Sequence, residues 1–351
     1  MNKNQNSSQN ETGTQFFTRL LTKKGAASSQ SAALNQIENV LMINKRLHLE
    51  KQIFPNGLEN KQIIEIFGGP GTGKTELIMH CIARLLTPLK WKFVINDNQF
   101  EINLKDQSSL DEAKYSNADL DAIPKVILIE TDIKFSIMRI FNIIEKRITI
   151  VYKNDSKMPE LNQQIQNLIR KFVKECLKNL TIYKCESNEQ YILVLAACEY
   201  YIQSLKENKQ SITPIFIDSV NSNYELLDKY NHHLGINDLT FTENYSVILL
   251  KRLVEKHNVC VIASRSEFIN PDPGKSFLDY FYNSFQKWQK IVHKRIHLLN
   301  TDEIAKNGES KKCLRLVELV SNENNKPNGA ASESIIGKIF YSIKNDGFNF
   351  I

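Results

Sequence analysis

The sequence has no apolar run long enough to cross a membrane. None of its 351 residues belongs to an apolar run approaching the roughly 20 residues that span a bilayer. The amino-terminal residues also lack the apolar centre of a secretory signal. We therefore expect a protein of the cytosol or nucleus with no membrane partner.

Cysteine is scarce and scattered. The six cysteines form no C-x-x-C pair, and most lie inside apolar stretches, where reduced cysteines pack as small hydrophobic residues. The sequence therefore predicts neither a disulfide nor a metal site built from them. They are Cys81, Cys176, Cys185, Cys198, Cys260 and Cys313.

A large excess of one sign of charge is also absent. The 45 Lys and Arg residues stand against 39 Asp and Glu residues, a net charge of +6, and they are spread along the chain. This small positive excess slightly favours binding to polyanions. Charge alone makes nucleic-acid binding plausible without establishing it.

The composition divides the chain into a tail and one core. Residues 1–45 are rich in Asn, Gln, Ser and Ala, which predicts a flexible tail, and residues 46–351 suffice for one large α/β core. Residues 96–124 are polar and too long for an ordinary connection, so we interpret them as an inserted surface loop. One short amphipathic segment in the tail could dock on the core or a partner, or form a plain surface helix; its apolar residues are Phe16, Phe17, Leu20 and Leu21.

Apolar runs and helical periodicities alternate through the core. This alternation is typical of a mostly parallel, doubly wound α/β sheet, whereas the last third of the chain predicts antiparallel strands ending in a hairpin. The predicted helices cover residues 76–86, 135–148, 188–205 and 243–257. The predicted strands cover residues 63–67, 126–130, 180–184, 214–218, 259–264, 295–299, 314–320, 338–343 and 348–351.

The strongest motif lies between the first predicted strand and the first predicted helix. It fits G-x-x-x-x-G-K-[ST], the P-loop, in which backbone N–H groups and a helix amino terminus bind phosphate. Lys74 would neutralise the β and γ phosphates of ATP, and Thr75 would bind Mg²⁺. The residues predicted to bind the cofactor are Gly68, Gly69, Pro70, Gly71, Thr72, Gly73, Lys74, Thr75 and Glu76.

A second Mg²⁺ ligand is predicted at the end of a buried strand. Four core residues, 214–217, lead into Asp218 and Ser219, so Asp218 is the candidate Walker B carboxylate; an ordinary strand-ending Asp is the alternative. Two predicted strands lie along the chain between the P-loop strand and this one, and serine rather than glutamate follows Asp218. Both features favour a RecA-type core over a ring-forming AAA-type ATPase.

An ordered series of shorter motifs accompanies the P-loop. In chain order they are ETGT at 11–14, RL at 19–20, GPGTGKTE within 64–86, IETD at 129–132, IDS at 217–219, WQ at 288–289, HKR at 293–295 and NDG at 345–347. Together they resemble the RecA/RadA-type recombinase paralogues. The resemblance implies a RecA-like core without the helical DNA-binding domain that precedes it in full recombinases.

The same resemblance implies a setting for the chain. Proteins of this type work in the nucleus, inside a heteromeric paralogue complex that helps to load the strand-exchange recombinase on single-stranded DNA. It therefore implies other recombinase paralogues as partners, the D paralogue among them, together with the recombinase itself. Single-stranded or branched DNA is the implied nucleic acid.

Two positions depart from the pattern of active recombinases. Those proteins place a water-orienting glutamate where this chain has Asp132, and a carboxylate one methylene shorter predicts weak or absent hydrolysis. They place a γ-phosphate-sensing glutamine where this chain has Arg265, which could contact phosphate as a charge but not as a neutral switch. Asp132 is thus a weak catalytic candidate, and Arg265 occupies the sensor position.

The resemblance also implies two DNA-facing loops, after Ser219 and after Ser264. Aromatic side chains can stack on unpaired bases while lysines neutralise phosphates, although aromatics in such loops as often face a partner or pack. The first loop holds Tyr224, Lys229, Tyr230, His232 and His233. The second holds Phe268, Lys275, Tyr280, Phe281 and Tyr282.

These observations predict a function and leave two alternatives open. The prediction is an ATP- and Mg²⁺-binding recombinase paralogue that serves double-strand break repair by homologous recombination. The first alternative is a DNA-dependent ATPase or AAA-type motor. The second is a structural adaptor whose P-loop is vestigial.

Overall fold

The computed structural model describes most of the predicted core. The described residues are Ile53, 61–88, 90–104, 124–132, 134–207, 212–221, 239–266, 286–304, 310–320, 332–344 and 347–350. Contacts divide the chain into Met1–Glu38 and Asn39–Ile351, and every described residue belongs to the second unit. The amphipathic tail segment, the two predicted DNA-facing loops and the turn residues Asn345 and Asp346 lie outside the described residues, and the boundary at residue 45 stays a prediction.

Strands and helices alternate along the described chain. The helices are α1 (Lys74–Leu86), α2 (Ile137–Asn154), α3 (Gln163–Leu177), α4 (Asn188–Glu207), α5 (Leu239–His257) and α6 (Gln286–Ile291). The strands are β1 (Ile63–Gly68), β2 (Lys90–Ile95), β3 (Asn98–Asn103), β4 (Lys125–Glu130), β5 (Leu180–Lys184), β6 (Ile212–Asp218), β7 (Val261–Ser266), β8 (Lys294–Ile304), β9 (Ser310–Val320), β10 (Ser332–Lys344) and β11 (Gly347–Phe350).

Nine of these strands form one sheet in the order β11-β10-β9-β8-β1-β7-β6-β4-β5. The six strands from β8 to β5 run parallel, and β9, β10 and β11 continue the sheet antiparallel. The predicted α/β fold, a parallel RecA-type core with antiparallel carboxy-terminal strands, is confirmed.

The predicted direction of strand β8 was wrong. The carboxy-terminal third was expected to be antiparallel throughout, whereas β8 follows helix α6 and pairs parallel to β1. A helical crossover returns the chain to the same end of a sheet and so permits parallel pairing.

The parallel strands are buried on both faces, which explains their nearly continuous apolar sequences. In β1, Ile64 and Ile66 join a core that includes buried residues of α1, α2 and α3. Ile63, on the other face, joins a second core with residues of α4, α5 and α6. The sheet therefore separates two helical layers, α1–α3 and α4–α6.

Helix α1 begins and ends at residues that cannot continue it. Gly73 precedes it with φ 97°, a backbone conformation that favours glycine. At the other end Thr87 is extended, and its hydroxyl donates to the carbonyl oxygen of Ala83 at 2.7 Å, with Pro88 following. This local arrangement places the positive end of the helix at the P-loop.

The predicted inserted loop begins as a hairpin. Strands β2 and β3 pair antiparallel through a two-residue turn at Asn96 and Asp97, whose φ values of 49° and 65° are those of a type I′ turn. The prediction of a loop was therefore wrong for the residues of β3; residues 105–123 lie outside the described part of the chain. The hairpin packs on the α1–α3 layer, where Trp91 stacks on Phe172 of α3 with ring centroids 4.7 Å apart.

Helix α3 was not predicted from the sequence. Its apolar positions, Ile165, Ile169 and Val173, recur every four residues and are buried. Asn162 caps it, since its Oδ1 accepts a hydrogen bond from the Ile165 N–H at 3.0 Å. The helix lies in the same core as α2 and the hairpin, and its outer face is exposed to solvent.

Candidate nucleotide-binding site

The P-loop curls between β1 and α1 at a point where side chains would not fit. A Cβ atom on Gly68 would lie 2.4 Å from the carbonyl oxygen of Leu298 in β8, so only glycine allows the two backbones to approach this closely. Tyr341 of β10 is fully buried and donates a hydrogen bond from its hydroxyl to the Thr72 carbonyl oxygen. The antiparallel strands thus brace the P-loop, which sequence analysis did not anticipate.

Lys74 lies against the loop it was predicted to serve. Its Nζ donates to the carbonyl oxygens of Gly68 and Gly69, each at 2.8 Å. Thr72 Oγ1 also donates to the Gly69 carbonyl oxygen, at 2.9 Å. These contacts hold the ammonium group inside the glycine-rich turn, where a bound phosphate would meet it.

Asp218 ends β6 beneath the first turn of α1 and is buried. Burial raises the pKa of its carboxyl group, while hydrogen bonds from Ser264 and Thr75 and the charge of Lys74 oppose that shift. Ser264, in the neighbouring strand β7, donates to Asp218 Oδ1. A hydroxyl and a carboxylate side by side are the hard oxygen ligands that Mg²⁺ prefers, so Thr75 and Asp218 fit the predicted ion.

Replacing Asp218 by asparagine is expected to stabilise the ligand-free protein at neutral pH by about 0.5–2 kcal/mol, the range common for single stabilising substitutions. The folded-state pKa of Asp218 is raised above its ordinary value of 3.8, so its ionisation opposes folding at pH values above that raised pKa. The advantage of the variant should be constant above the raised pKa and should shrink as the pH falls from that pKa toward 3.8. Urea unfolding at pH 7 and pH 5 measures this, and a destabilised variant at pH 7 contradicts it.

Asp132 lies near Asp218, since its charge also raises the pKa of Asp218. Its Oδ2 is 2.9 Å from Lys134 Nζ. Thr131, the residue before Asp132, joins the carboxyl ends of strands β4 and β6. Its N–H donates to the Asp218 carbonyl oxygen, and the Ser219 N–H donates to Thr131 Oγ1, both at 2.8 Å. The structure therefore brings Asp132 to the same sheet edge as the P-loop and Asp218.

Arg265, at the predicted sensor position, is buried and bound to another side chain. Its Nε donates to Glu65 Oε1, and its guanidinium lies 4.3 Å from the centroid of the Phe67 ring. Arg295 Nε donates to Glu65 Oε2 at 2.5 Å, and Trp288 Nε1 donates to Oε1 at 2.8 Å. Three strands and α6 therefore meet at one carboxylate directly below the P-loop.

Glu65 was missed by sequence analysis, although it is a lone acid inside an apolar strand. It has no solvent exposure. Burial by itself raises the pKa of Glu65, but the charges and hydrogen bonds of Arg265 and Arg295 together outweigh burial and leave the pKa below its ordinary value. A buried, ionised carboxylate requires buried cations, and that requirement was the available signal.

Glu76, also predicted to bind the cofactor, contacts helix α2. Its Oε1 accepts a hydrogen bond from Arg139 Nε at 2.6 Å. One turn further along α1, buried His80 lies 2.7 Å, through Nδ1, from an amino nitrogen of Arg147. These two contacts join the P-loop helix to the helix that follows Asp132 in the chain.

Comparison with known proteins supports the motif-based resemblance. No protein-family model matches the sequence. The DNA repair protein XRCC2 of Mus musculus is 22% identical over 253 residues, which covers 69% of this chain and 73% of that protein. The chain resembles XRCC2. The predicted likeness to a recombinase paralogue is thus confirmed, as a distant one.

The sheet described above is consistent with a RecA-like core, since the P-loop strand β1 lies between β7 and β8 and the Asp218 strand lies next to β7. None of the helices in the described ranges is long and apolar enough to cross a membrane.

Proposed function

We propose that this chain is an ATP-binding recombinase paralogue that acts in DNA repair by homologous recombination. The observation that carries the proposal is the similarity to the DNA repair protein XRCC2 over 253 residues. The site supports it, because a P-loop, a buried lysine and a buried carboxylate converge at one edge of a RecA-type sheet.

The proposed cofactors are ATP and Mg²⁺. The P-loop N–H groups and Lys74 would hold the phosphates, and Thr75 with Asp218 would hold the ion. Bound Mg²⁺ would neutralise phosphate charge. Its charge would also favour the ionised form of Asp218, whose pKa burial raises, so ion binding and deprotonation of this group would support each other.

The proposed setting is a nuclear heteromeric complex. Within it the chain would join other RecA-type paralogues, the D paralogue among them, and assist the loading of the strand-exchange recombinase on single-stranded DNA. Native isolation of the tagged chain from its own cells, with mass analysis of what accompanies it, tests this proposal. Recovery with other paralogues supports it, whereas a homomeric ring, or the chain alone with brisk ATP turnover, would establish the motor alternative.

Hydrolysis of ATP is expected to be weak, and Asp132 is the proposed reason. Asp132→Glu should extend the carboxylate by about 1 Å and raise the rate of phosphate release by as much as roughly 100-fold, because errors of that size in position cost about that factor. Phosphate release under single-turnover conditions is the measurement. Asp97→Glu, the same change at the exposed hairpin turn, serves as the control. If Asp132→Glu leaves the rate of phosphate release unchanged, the length of this side chain is not the cause of weak hydrolysis.

A further inference from the structure

The positive charge of the protein is concentrated in one helical layer. Residues 137–178, which contain α2 and α3, hold nine Lys and Arg residues against four Asp and Glu residues, whereas the whole chain has a net charge of +6. Helices α4, α5 and α6, on the opposite face of the sheet, together hold six Lys and Arg residues against five Glu residues. The electrostatic potential of the core is therefore unequal on its two faces.

The outer face of α3 carries a row of these cations. Arg170, Lys171, Lys174 and Lys178 are all exposed. At about 100° per residue they lie within an arc of about 100°, and steps of four residues separate them by about 6 Å along the helix. Together these four residues form what we call the α3 basic face. Exposed amide side chains lie nearer the start of the same helix.

Part of this charge is not balanced by neighbouring acids. Arg170 pairs with Glu145 of α2 at 2.8 Å, and Lys178 pairs with Glu175 at 2.7 Å. Lys171 and Lys174 form no ion pair with any carboxylate among the described residues. A polyanion could therefore approach these two lysines without first breaking an ion pair.

The chemistry of the face favours a phosphate backbone over a protein. Protein interfaces centre on apolar and aromatic side chains and are depleted in lysine. The large apolar side chains exposed in the described residues lie on β2, α2, α4 and α5, and α3 has none. Lysine ammonium groups act as point charges that suit phosphate without requiring a particular base.

We propose that the α3 basic face binds the sugar–phosphate backbone of DNA, independently of base sequence. The surface lies on helix α3, whereas the two loops predicted to face DNA, after Ser219 and after Ser264, lie outside the described residues. It also requires no nucleotide. The proposal therefore stands or falls apart from ATP binding, and apart from the identity of the protein partners.

The test is fluorescence anisotropy of labelled single-stranded oligothymidine with the full chain, titrated at several salt concentrations without nucleotide. The double variant Lys171→Gln with Lys174→Gln removes two cations. Each phosphate contact contributes about 0.7 to the slope of log K against log salt for single strands. The slope should therefore fall by about 1.4, and the affinity near 0.1 M salt by roughly tenfold.

The matched control is Lys61→Gln with Lys251→Gln, which removes the same charge from exposed positions just before β1 and on α5. It should leave the slope unchanged, and thermal unfolding should show all three proteins equally folded. Equal slopes for the two double variants overturn the proposal. So does an α3 variant that binds DNA normally but loses a co-purifying protein, since the face would then be a protein interface. Crosslinking of DNA to α3 peptides, mapped by mass, is the supporting second measurement.

Discussion

Replacing Glu65 by glutamine is expected to lower the free energy of unfolding by about 3–5 kcal/mol, the cost typical of removing one member of a buried ion pair. The glutamine keeps the shape of the side chain but removes the negative charge that Glu65 places between Arg265 and Arg295. The side chains of these arginines are only 7% and 11% exposed, so water cannot replace the carboxylate. The total free energy of unfolding of most globular domains is about 5–15 kcal/mol, so this loss should be severe.

Urea unfolding, followed by circular dichroism, measures this effect. The matched control is Glu145→Gln, which removes the same charge from the more exposed pair with Arg170 and should cost about 0–1 kcal/mol. Similar losses in the two variants would show that Glu65 is solvated and that the buried cluster contributes no more than a surface pair.

The acid dependence of stability provides a second check on Glu65. Its folded-state pKa is lowered from the ordinary value of 4.5, so its stabilising contribution is complete above about that pH and is lost as the pH falls through the lowered value. The glutamine variant cannot lose this contribution. Its stability should therefore fall less steeply than that of the native chain below pH 4.5.

Lys74→Ala is expected to remove most of the stabilisation by Mg·ATP. A protein with ligand at 100 times its Kd gains about 2.7 kcal/mol, and a variant binding about 100-fold more weakly would gain only about 0.4 kcal/mol at the same concentration. The lysine supplies the ammonium group of the loop, already held within 2.8 Å of two P-loop carbonyl oxygens. Its removal would take away the positive charge that the proposal places against the phosphates.

Differential scanning fluorimetry with and without Mg·ATP measures the shift. Lys92→Ala on strand β2, where the side chain is 70% exposed, is the control and should retain the full shift. Native chain that shows no shift at millimolar Mg·ATP would mean that the P-loop is vestigial. Complex formation by the Lys74→Ala variant separates the two hypotheses. The variant of a structural adaptor should still join its complex, whereas the variant of a nucleotide-dependent subunit should not.

The regular elements show where sequence patterns were sufficient. Helices α1, α2, α4 and α5 and the positions of the parallel strands were predicted, because each has a strong apolar periodicity or a continuous apolar run; the direction of β8 was not. Helix α3 has the same four-residue spacing, but its other positions are polar and charged, and the pattern was not recognised. The hairpin was missed because Asn96 and Asp97 were assigned to a loop although they suit a type I′ turn.

In the candidate site, too, contacts between residues close in the sequence were predicted, and contacts between distant residues were not. The P-loop contacts are local, since Lys74 reaches carbonyl oxygens only five and six residues away, and a motif of eight residues contains them all. Asp218 was predicted because a carboxylate after four apolar residues marks a strand end. Its partner Ser264 was not predicted, because 46 residues separate the two and only the pairing of β6 with β7 brings them together.

The amino-acid sequence by itself determined the phosphate-binding loop, most of the alternating strands and helices of the core, and the likeness to recombinase paralogues, since each depends on residues close together in the chain. Only the tertiary structure decided how Arg265 is used. It lies 200 residues from Glu65 along the chain, and Arg295 lies 230 residues away. Parallel strands β7, β1 and β8 place these three side chains together in a buried space, where a carboxylate and two guanidinium groups neutralise one another because water cannot.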